Sequence, residues 1–439
     1  MKNKLIFIGL NELNFEYIKH YISQGKLSTF KKLFSEYGYS ETTSEDEYKL
    51  LEPWIQWASI HTGKMYDEHK IFRLGDIVER KDLTQIFEEV EGKGYSVAAV
   101  SPFNADNRLK NPKFFVPDPW TNTKASGNNL LIKMSNAVSQ AVNDNAHGKL
   151  QPSSAFSLGM GLLKYAGIKK LSSYIRLLPQ LKSKVGTKAL ILDKLLGDVF
   201  IKEWKKQKPD FSWLFLNSGA HFQHHYMFNS SAYAGDQNNP DWYCPKDQDP
   251  LLRILEVYDS ILKEIIAFKN VRLMLATGLH QKPHPHMTFY WRLKEHADFL
   301  KKIGCNNYTE VLPRMSRDFL VTFDSEAGAK EAEALLKGFM SVKDQIDIFT
   351  IDNRGKSLFV ELTYSNDIQD NFEISNGDIS IQDFKPYIAF VAIKNGEHDG
   401  IGYFIDSETK AKEGEQIRVA DVYDKIKSNF LEQREKVVS

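Results

Sequence analysis

The chain is organised around the end of the stretch FSWLFLNSGAHFQHHY, residues 211–226. Its first six residues, 211–216, form an apolar run of the length of a buried strand. Three histidines follow this run within five positions, namely His221, His224 and His225. They stand where a strand ends and a polar loop begins, which is where open α/β sheets bind their ligands.

His221 and His224 are three residues apart, so they share a face only if the chain turns helically there. Neutral imidazoles gathered in one place suit a transition metal. The alternative is a hydrogen-bonded polar cluster beneath the loop, and at this point both interpretations stay open.

The composition restricts the class of protein. With 439 residues, the chain can form one large α/β domain with insertions or two domains. A formal net charge of +0 gives no global reason to expect nucleic acid or an anionic membrane as a partner. Two distant cysteines, Cys244 and Cys305, fit a reducing compartment. The apolar run near the N-terminus is broken too early for a signal peptide, and no stretch reaches membrane-spanning length. We therefore expect a cytoplasmic protein whose oligomeric state is unknown.

Strand-length apolar runs alternate with helical patterns along the chain, which predicts a mostly parallel sheet with right-handed crossovers. The predicted strands lie at 5–10, 95–100, 211–216, 271–276 and 388–393. The predicted organisation is an α/β core over 1–120, 190–310 and 385–439, a mostly helical insertion over 121–189, and a small α+β insert over 315–384.

Polar side chains follow four of the predicted strands, and a fifth group lies in LLEPWIQWASIHTG, residues 50–63. Because the carboxyl ends of parallel strands meet at one edge of a sheet, we expect the strand-end side chains to surround one cavity. The strand-end candidates are Asn11, Glu12, His221, His224, His280, Gln281 and His398, and the candidates in 50–63 are Trp54, Gln56, Trp57 and His61. Asn11 could equally cap the following helix, and the two tryptophans could equally belong to the core.

This order of segments resembles the alkaline phosphatase superfamily, in particular its type I phosphodiesterase and nucleotide pyrophosphatase branch. The similarity lies in the opening strand and helix, in WASIHTG and DEHKIF, in residues 220–224 and 277–280, and in His398 with Gly400. It implies an α/β fold, an alkaline-phosphatase-like three-layer αβα sandwich with a mostly parallel central sheet. It also implies a divalent metal, zinc or manganese, as cofactor.

The chain departs from this family at the residues that would do the chemistry. Pro53 stands where the family has its Thr or Ser nucleophile, and Asn11 stands where it has the first-strand aspartate. Ala220 and Gly278 stand where it has two further metal-binding carboxylates. The usual two-metal site therefore cannot form. What the resemblance leaves is a single site, with Glu12, His224, His280 and His398 as the expected metal ligands.

The expected activity is metal-dependent hydrolysis or transfer of a phosphate-type ester without a covalent Thr or Ser intermediate. The expected catalytic residues are His221, His225, Gln56 and His61, and the expected substrate contacts are Asn11, Trp54, Trp57, Tyr226 and Gln281. Because aromatic rings suit a sugar face, the expected partner is a small-molecule or glycan substrate. Two alternatives stay open: a catalytically inactive ligand-binding member of the family, and a metal-free transferase of surface polysaccharide synthesis.

Overall fold

The computed structural model describes residues 4–143, 152–313, 317–412 and 414–438. The chain divides into two compact units, which are considered separately. Unit 1 comprises Met1–Pro283 and Gly396–Ser439, and unit 2 comprises His284–Asn395. Within the described residues, every helix is too short or too polar to cross a lipid bilayer.

The strands are β1 (Lys4–Leu10), β2 (Ser40–Thr43), β3 (Val97–Val100), β4 (Phe114–Val116), β5 (Phe211–Leu216), β6 (Val271–Ala276), β7 (His280–Leu293), β8 (Tyr308–Pro313), β9 (Asp318–Phe323), β10 (Met340–Ser341), β11 (Phe349–Asn353), β12 (Ser357–Leu362), β13 (Ile374–Ser375), β14 (Ser380–Ile381), β15 (Ile388–Asp399), β16 (Ile401–Asp406) and β17 (Gln416–Arg418). The α-helices are α1 (Phe15–Ser23), α2 (Ser28–Tyr37), α3 (Pro53–Thr62), α4 (Tyr66–His69), α5 (Ile86–Gly92), α6 (Asn129–Asn143), α7 (Pro152–Leu177), α8 (Gln180–Ser183), α9 (Thr187–Gln207), α10 (Ser218–Tyr226), α11 (Pro250–Ile265), α12 (His296–Lys302), α13 (Glu326–Lys337) and α14 (Asp421–Val438).

Unit 1 is built around a sheet with the strand order β17-β2-β16-β6-β1-β5-β3-β4. Strand β1 pairs in parallel with β5 on one side and with β6 on the other, and β3 and β4 continue the parallel part. Strand β16 is antiparallel to both of its neighbours, β6 and β2. The carboxyl ends of β1, β5 and β6 therefore meet at one edge of the sheet, as the strand runs in the sequence predict.

Side chains alternate between the two faces of this sheet, and helices cover both faces. On β1, Ile6 and Ile8 pack into a core built with α1, α2, α9 and α11. Leu5 and Phe7 point the other way, into a core built with α3, α5 and α14. Each such fully buried side chain contributes about 1.5–3 kcal/mol. These three layers confirm the expected α/β class.

Two details of the predicted core are corrected. The opening helix of the resemblance is two helices here, α1 and α2, because Gly25 and Leu27 take positive φ angles of 78° and 53° and end the first of them. The predicted strand 388–393 does not join the main sheet. It belongs to β15, which pairs with β7, and the strand that pairs with β6 is β16.

Unit 2 has its own sheet, with the order β11-β12-β9-β8 and antiparallel pairing throughout. Helix α13 lies between β9 and β11 in the chain and buries Ala329, Ala332 and Leu336. A turn at Gly355, with φ of 82°, joins β11 to the antiparallel β12. The unit is wider than the predicted insert over 315–384, because α12 and the larger parts of β7 and β15 belong to it.

Candidate metal centre

The site begins at Glu12, the second residue after β1. Glu12 has a φ of 57°, a left-handed conformation that is uncommon for a residue with a side chain. Its backbone N–H donates to the carbonyl of Thr277 over 3.0 Å, and its carbonyl accepts from Gln223 Nε2 over 2.6 Å and from the Gln281 N–H over 3.2 Å. These bonds hold the residue in place at the ends of the neighbouring strands, so the direction of its side chain is fixed.

Two histidines converge on the carboxylate of Glu12. The Nε2 atoms of His224 and His398 each lie 3.1 Å from Glu12 Oε2. The three residues offer ligand atoms that all lie within 4.8 Å of one another. The side chain of Glu12 is only 2% exposed, whereas His398 is 15% and His224 is 31% exposed. The carboxylate therefore lies at the floor of the cluster and the imidazoles lie between it and solvent.

Neighbouring amides fix the Glu12 carboxylate from below. Asn11 Nδ2 donates to Glu12 Oε1 over 2.9 Å, and Gln281 Nε2 donates to Glu12 Oε2 over 2.5 Å. Asn11 is in turn held by Trp57 Nε1, which donates to its Oδ1 over 2.7 Å, and by Asn217 Oδ1, which accepts from its Nδ2 over 2.8 Å. Such outer contacts are what orient a carboxylate ligand in metal sites.

His224 is placed by α10, which starts directly after β5. The backbone N–H of Ser218, at the first turn of α10, donates to Asp193 Oδ2 over 2.7 Å, and Tyr258 Oη donates to the same oxygen over 2.5 Å. Tyr258 Oη also accepts from the Gly219 N–H over 2.8 Å. Burial raises the pKa of Asp193 to about 6, although these hydrogen bonds oppose the rise. The carboxylate of Asp193 and the phenol of Tyr258 thus bind the amino end of α10.

The electrostatics of the cluster favour an anionic carboxylate. Burial alone raises the pKa of Glu12, but the positive forms of His398 and His224 outweigh it and hold the pKa well below its ordinary value. The pKa of His221 is lowered to about 4, first by burial and then by His224. His221 is therefore neutral at pH 7 and its imidazole can accept a proton.

The remaining expected ligand, His280, lies outside this group. Its Nδ1 donates to the carbonyl of Ile401 over 2.6 Å, and its ring packs near Tyr403 with the centroids 5.5 Å apart. The cluster thus takes one histidine from α10 and one from the end of β15, and the expected contribution from the end of β6 is missing from it.

Four other expected site residues lie near the cluster without joining it. On α10, the rings of His221 and His225 contact each other with centroids 4.6 Å apart, and His221 also lies 6.2 Å from the ring of Tyr226. Asn11 is buried, and its amide is bonded on both sides within the protein. A substrate therefore cannot reach Asn11, so the expected substrate contact is corrected to a positioning role.

Gln281 is corrected in the same way. It is fully buried, and its Nε2 donates to Glu12 and to the carbonyl of Ala220. Its side chain supports a candidate ligand instead of meeting substrate.

The candidates from residues 50–63 prove to be structural. His61 is fully buried between Phe87 and Trp213, its Nε2 donates to the carbonyl of Phe103 over 2.9 Å, and burial lowers its pKa to about 4. Gln56 is buried and donates to the carbonyl of Leu50 over 2.8 Å. These contacts correct the expected catalytic roles of both residues.

The two tryptophans differ. Trp57 is fully buried, with its ring edge-on to Phe215, so it is a core residue and the expected sugar contact is corrected. Trp54 is half-buried and donates from Nε1 to the carbonyl of Phe72 over 2.9 Å. Its ring stays partly accessible to solvent.

Three further residues hold the candidate site together and are absent from the set that the sequence predicts. Gln223 lies between the histidines of α10, yet it is buried, donates to the carbonyl of Glu12 and accepts from the N–H of Asn14. Glu52, at the start of α3, places Oε2 3.7 Å from His398 Nδ1. Asp193 lies in a helix that has no pattern of a site. The position of Gln223 among the histidines of α10 was the available signal that it belongs to the site. The sequence around Glu52 and Asp193 gave no such signal.

The donor set fits a divalent metal ion. Two imidazole nitrogens and one carboxylate oxygen are the ligands of many catalytic zinc sites, which leave a further position open for water or substrate. In the cluster, both Nε2 atoms point at one carboxylate oxygen that is buried and charged, which is an arrangement that a cation would stabilise. The partial exposure of His224 leaves a side of the cluster open to solvent.

The chain matches no protein-family model and no curated protein. Solved structures are similar to it at low identity. Murine ectonucleotide pyrophosphatase/phosphodiesterase 5 has 11% identity and a TM-score of 0.46, over 97% of this chain and 95% of that one. Phosphonoacetate hydrolase from Sinorhizobium meliloti 1021 has 12% identity and a TM-score of 0.43, over 98% and 96%. Alkaline phosphatase from the Antarctic bacterium TAB5 has 10% identity and a TM-score of 0.40, over 98% of each chain. All three are proteins of the superfamily that the sequence resembles, and with TM-scores below 0.5 we draw nothing about activity from them.

Proposed function

We propose that this protein is a hydrolase of phosphate-type esters that depends on a single divalent metal ion, zinc or manganese, held by Glu12, His224 and His398. The observation that carries the proposal is the convergence of two imidazole Nε2 atoms on one buried carboxylate oxygen, each at 3.1 Å. When bound, the ion would polarise the ester and lower the pKa of an attacking water.

Residues of the chain would orient the metal-binding carboxylate and accept the proton. Asn11 and Gln281 keep the Glu12 carboxylate in one orientation, so little rearrangement is needed when a ligand binds. His221 is the candidate general base, because its lowered pKa leaves it neutral at pH 7 and it lies one helical turn from His224. In the proposed reaction the water oxygen bonds to phosphorus and a water proton passes to His221. The bond between phosphorus and the ester oxygen breaks, and the leaving oxygen takes up a proton from solvent.

Direct attack by water is supported by the residue at the start of α3. Pro53, which the resemblance places at the nucleophile position, is the first residue of that helix and has no nucleophilic atom. Turnover should therefore show no burst of product from a covalent intermediate. The sugar or glycan part of the expected substrate has weaker support, since Trp57 is buried and only Trp54 and Tyr226 keep exposed ring surface.

The first experiment measures metal content and hydrolysis together. Purified full-length protein is analysed for zinc, manganese and iron by mass spectrometry, and is assayed on p-nitrophenyl phosphate, bis-p-nitrophenyl phosphate and a panel of sugar phosphates. We expect about one metal ion per chain and chelator-sensitive hydrolysis. His224→Ala and His398→Ala should lose both the metal and the activity.

His286→Ala is the matched control, because His286 is an exposed histidine outside the cluster and should leave both quantities unchanged. His221→Phe should keep the metal and lower kcat by roughly 100-fold or more, as expected for loss of a general base. Hydrolysis that survives both chelator and His398→Ala would refute the metal-dependent function. Metal binding without hydrolysis of any tested ester would favour the ligand-binding alternative.

A further inference from the structure

A second functional surface lies on α7 and the turn that follows it. Five large apolar side chains there are more than half exposed: Phe156 (70%), Leu163 (56%), Ile168 (93%), Ile175 (56%) and Leu178 (56%). Elsewhere in the described parts of the chain, only Tyr48 and Trp242 among the large apolar and aromatic residues exceed half exposure. Such a concentration on one element marks an interaction surface.

The same segment is strongly basic. Between residues 152 and 192 the sequence contains no aspartate and no glutamate. Its basic residues are Lys164, Lys169, Lys170, Arg176, Lys182, Lys184 and Lys188. Lys164, Lys169, Arg176 and Lys182 are exposed beside the five apolar residues, and these nine residues are the basic apolar face. Because the whole chain has a formal net charge of +0, the compensating negative charge lies elsewhere and the charge is distributed unevenly.

The inner side of α7 packs against α9, so its exposed side is not needed to complete the core. Tyr165 Oη donates to Glu203 Oε1 over 2.9 Å, and Tyr174 Oη donates to Asp198 Oδ2 over 2.7 Å, both on α9. A break at Gly167, with φ of 64°, divides α7 into two segments and leaves Ile168 protruding beside it. The helix is thus fixed with its apolar and basic side chains directed to solvent.

We propose that the basic apolar face binds the surface of an anionic lipid membrane. A helix with apolar side chains in the acyl boundary and lysine or arginine at the headgroup level is the pattern of interfacial association. A second copy of this chain fits less well, because a symmetric interface would place the same unpaired positive charges against each other. A nucleic acid would leave the five apolar side chains in water.

This surface is independent of the proposed hydrolase function, since none of the nine residues belongs to the metal cluster. It requires no membrane-spanning helix, in agreement with the described helices. The neutral charge of the whole chain argued against a membrane partner, but that balance conceals the local excess of positive charge in this segment.

The test is co-sedimentation of the full-length protein with vesicles. One set contains phosphatidylcholine alone, and the other contains equal parts of phosphatidylcholine and phosphatidylglycerol. We expect binding to the anionic vesicles, weakened by salt, and little binding to the zwitterionic ones. Lys169→Gln/Arg176→Gln/Lys182→Gln should weaken binding by at least roughly tenfold. Ile168→Ser/Ile175→Ser/Leu178→Ser should weaken it by a similar factor.

Matched controls use equally exposed positions elsewhere. Lys301→Gln/Lys302→Gln/Lys330→Gln removes the same charge from α12 and α13, and should bind vesicles as the unchanged protein does. Circular dichroism verifies that each variant is folded. Absence of binding to anionic vesicles, or equal losses in the control variant, would overturn the proposal.

Sedimentation velocity without lipid tests whether a second copy of the chain binds the basic apolar face instead. We expect the same sedimentation coefficient for the unchanged protein and for Ile168→Ser/Ile175→Ser/Leu178→Ser. A dimer that this variant converts to monomer would assign the face to a second copy and refute the membrane proposal.

Discussion

At the scale of single residues, the candidate site depends on one carboxylate in an uncommon backbone conformation. Glu12 adopts a positive φ, and its neighbours on both sides supply hydrogen bonds to its backbone and its side chain. Strained residues of this kind persist where the surrounding structure fixes them, and they concentrate at functional sites. The amides that surround Glu12 are therefore as important for the proposed function as the two histidines.

This leads to a prediction for Gln281. Replacing Gln281 by Leu removes the donor to Glu12 Oε2, so the carboxylate is less well oriented for a metal. We expect metal affinity to fall by roughly 10- to 100-fold, measured by competition with a chelating dye. Gln207→Leu is the control, because Gln207 also donates to a glutamate, Glu203, but in α9. Equal affinities for Gln281→Leu and the unchanged protein would show that this amide does not support the ligand.

At the scale of elements, α10 places a histidine of the candidate metal centre at the end of a strand. Its first two N–H groups are bound by Asp193 and Tyr258, its last turn brings His224 close to Glu12, and the His221 ring contacts the His225 ring. Helices begin stably where their free N–H groups find acceptors, and a negative charge there is favourable. The contacts at the start of α10 therefore determine where its histidines lie.

Asp193 provides the prediction at this scale. Asp193→Ala removes the acceptor for the Ser218 N–H and should cost about 0.5–2 kcal/mol of stability, with weaker metal binding, whereas Asp193→Asn keeps an acceptor and should bind metal nearly as before. Isothermal titration calorimetry measures the metal affinity, and urea unfolding measures the stability. Unaltered metal affinity in Asp193→Ala would show that the contact of Asp193 with the start of α10 does not affect metal binding.

The same pair of variants tests a pH effect. Burial raises the pKa of Asp193 to about 6, above the value of about 4 in an unfolded chain. The folded chain therefore holds this proton more tightly, and the contribution of Asp193 to stability is present below pH 4 and is lost as the pH rises to about 6. Asp193→Asn should lack this decline relative to the unchanged protein.

At the scale of the whole molecule, the three proposed ligands all belong to unit 1, although His398 follows unit 2 in the chain. Lys282 Nζ lies 3.7 Å from Glu397 Oε1, so the two points at which the chain leaves and re-enters unit 1 are close together. A short connection can therefore replace the intervening residues.

Replacing residues 284–395 by a short Gly-Ser linker should leave unit 1 folded with its metal affinity within roughly tenfold of the full chain. The loss of residues 317–365 should also impair ligand capture, and the same protein tests this through KM. Circular dichroism and metal analysis provide the measurements. An unfolded product would mean that unit 1 depends on unit 2 for stability.

Local patterns of residues were sufficient to predict the class of fold and the edge of the sheet at which the candidate residues gather. Six-residue apolar runs such as 211–216 and 271–276 became strands with those bounds, because such a run has the length of a buried strand and is shorter than most helices. Since parallel strands end at one edge, the position of Glu12 beside α10 also followed from local pattern.

The tertiary structure decided which polar side chains belong to the site. His280 and His224 both follow strands, yet only His224 reaches Glu12, because the carbonyl of Ile401 binds His280. His61 became a core residue, although its neighbours in sequence gave no sign of it, and Trp57 took the core position that the sequence had left open as an alternative. The end of a strand fixes the backbone position of a residue. The groups that its side chain contacts come from segments that are distant in the chain, such as β16 in the case of His280. The pairing of β15 with β7, which determines where His398 stands, is likewise set by long-range contacts that no local pattern records.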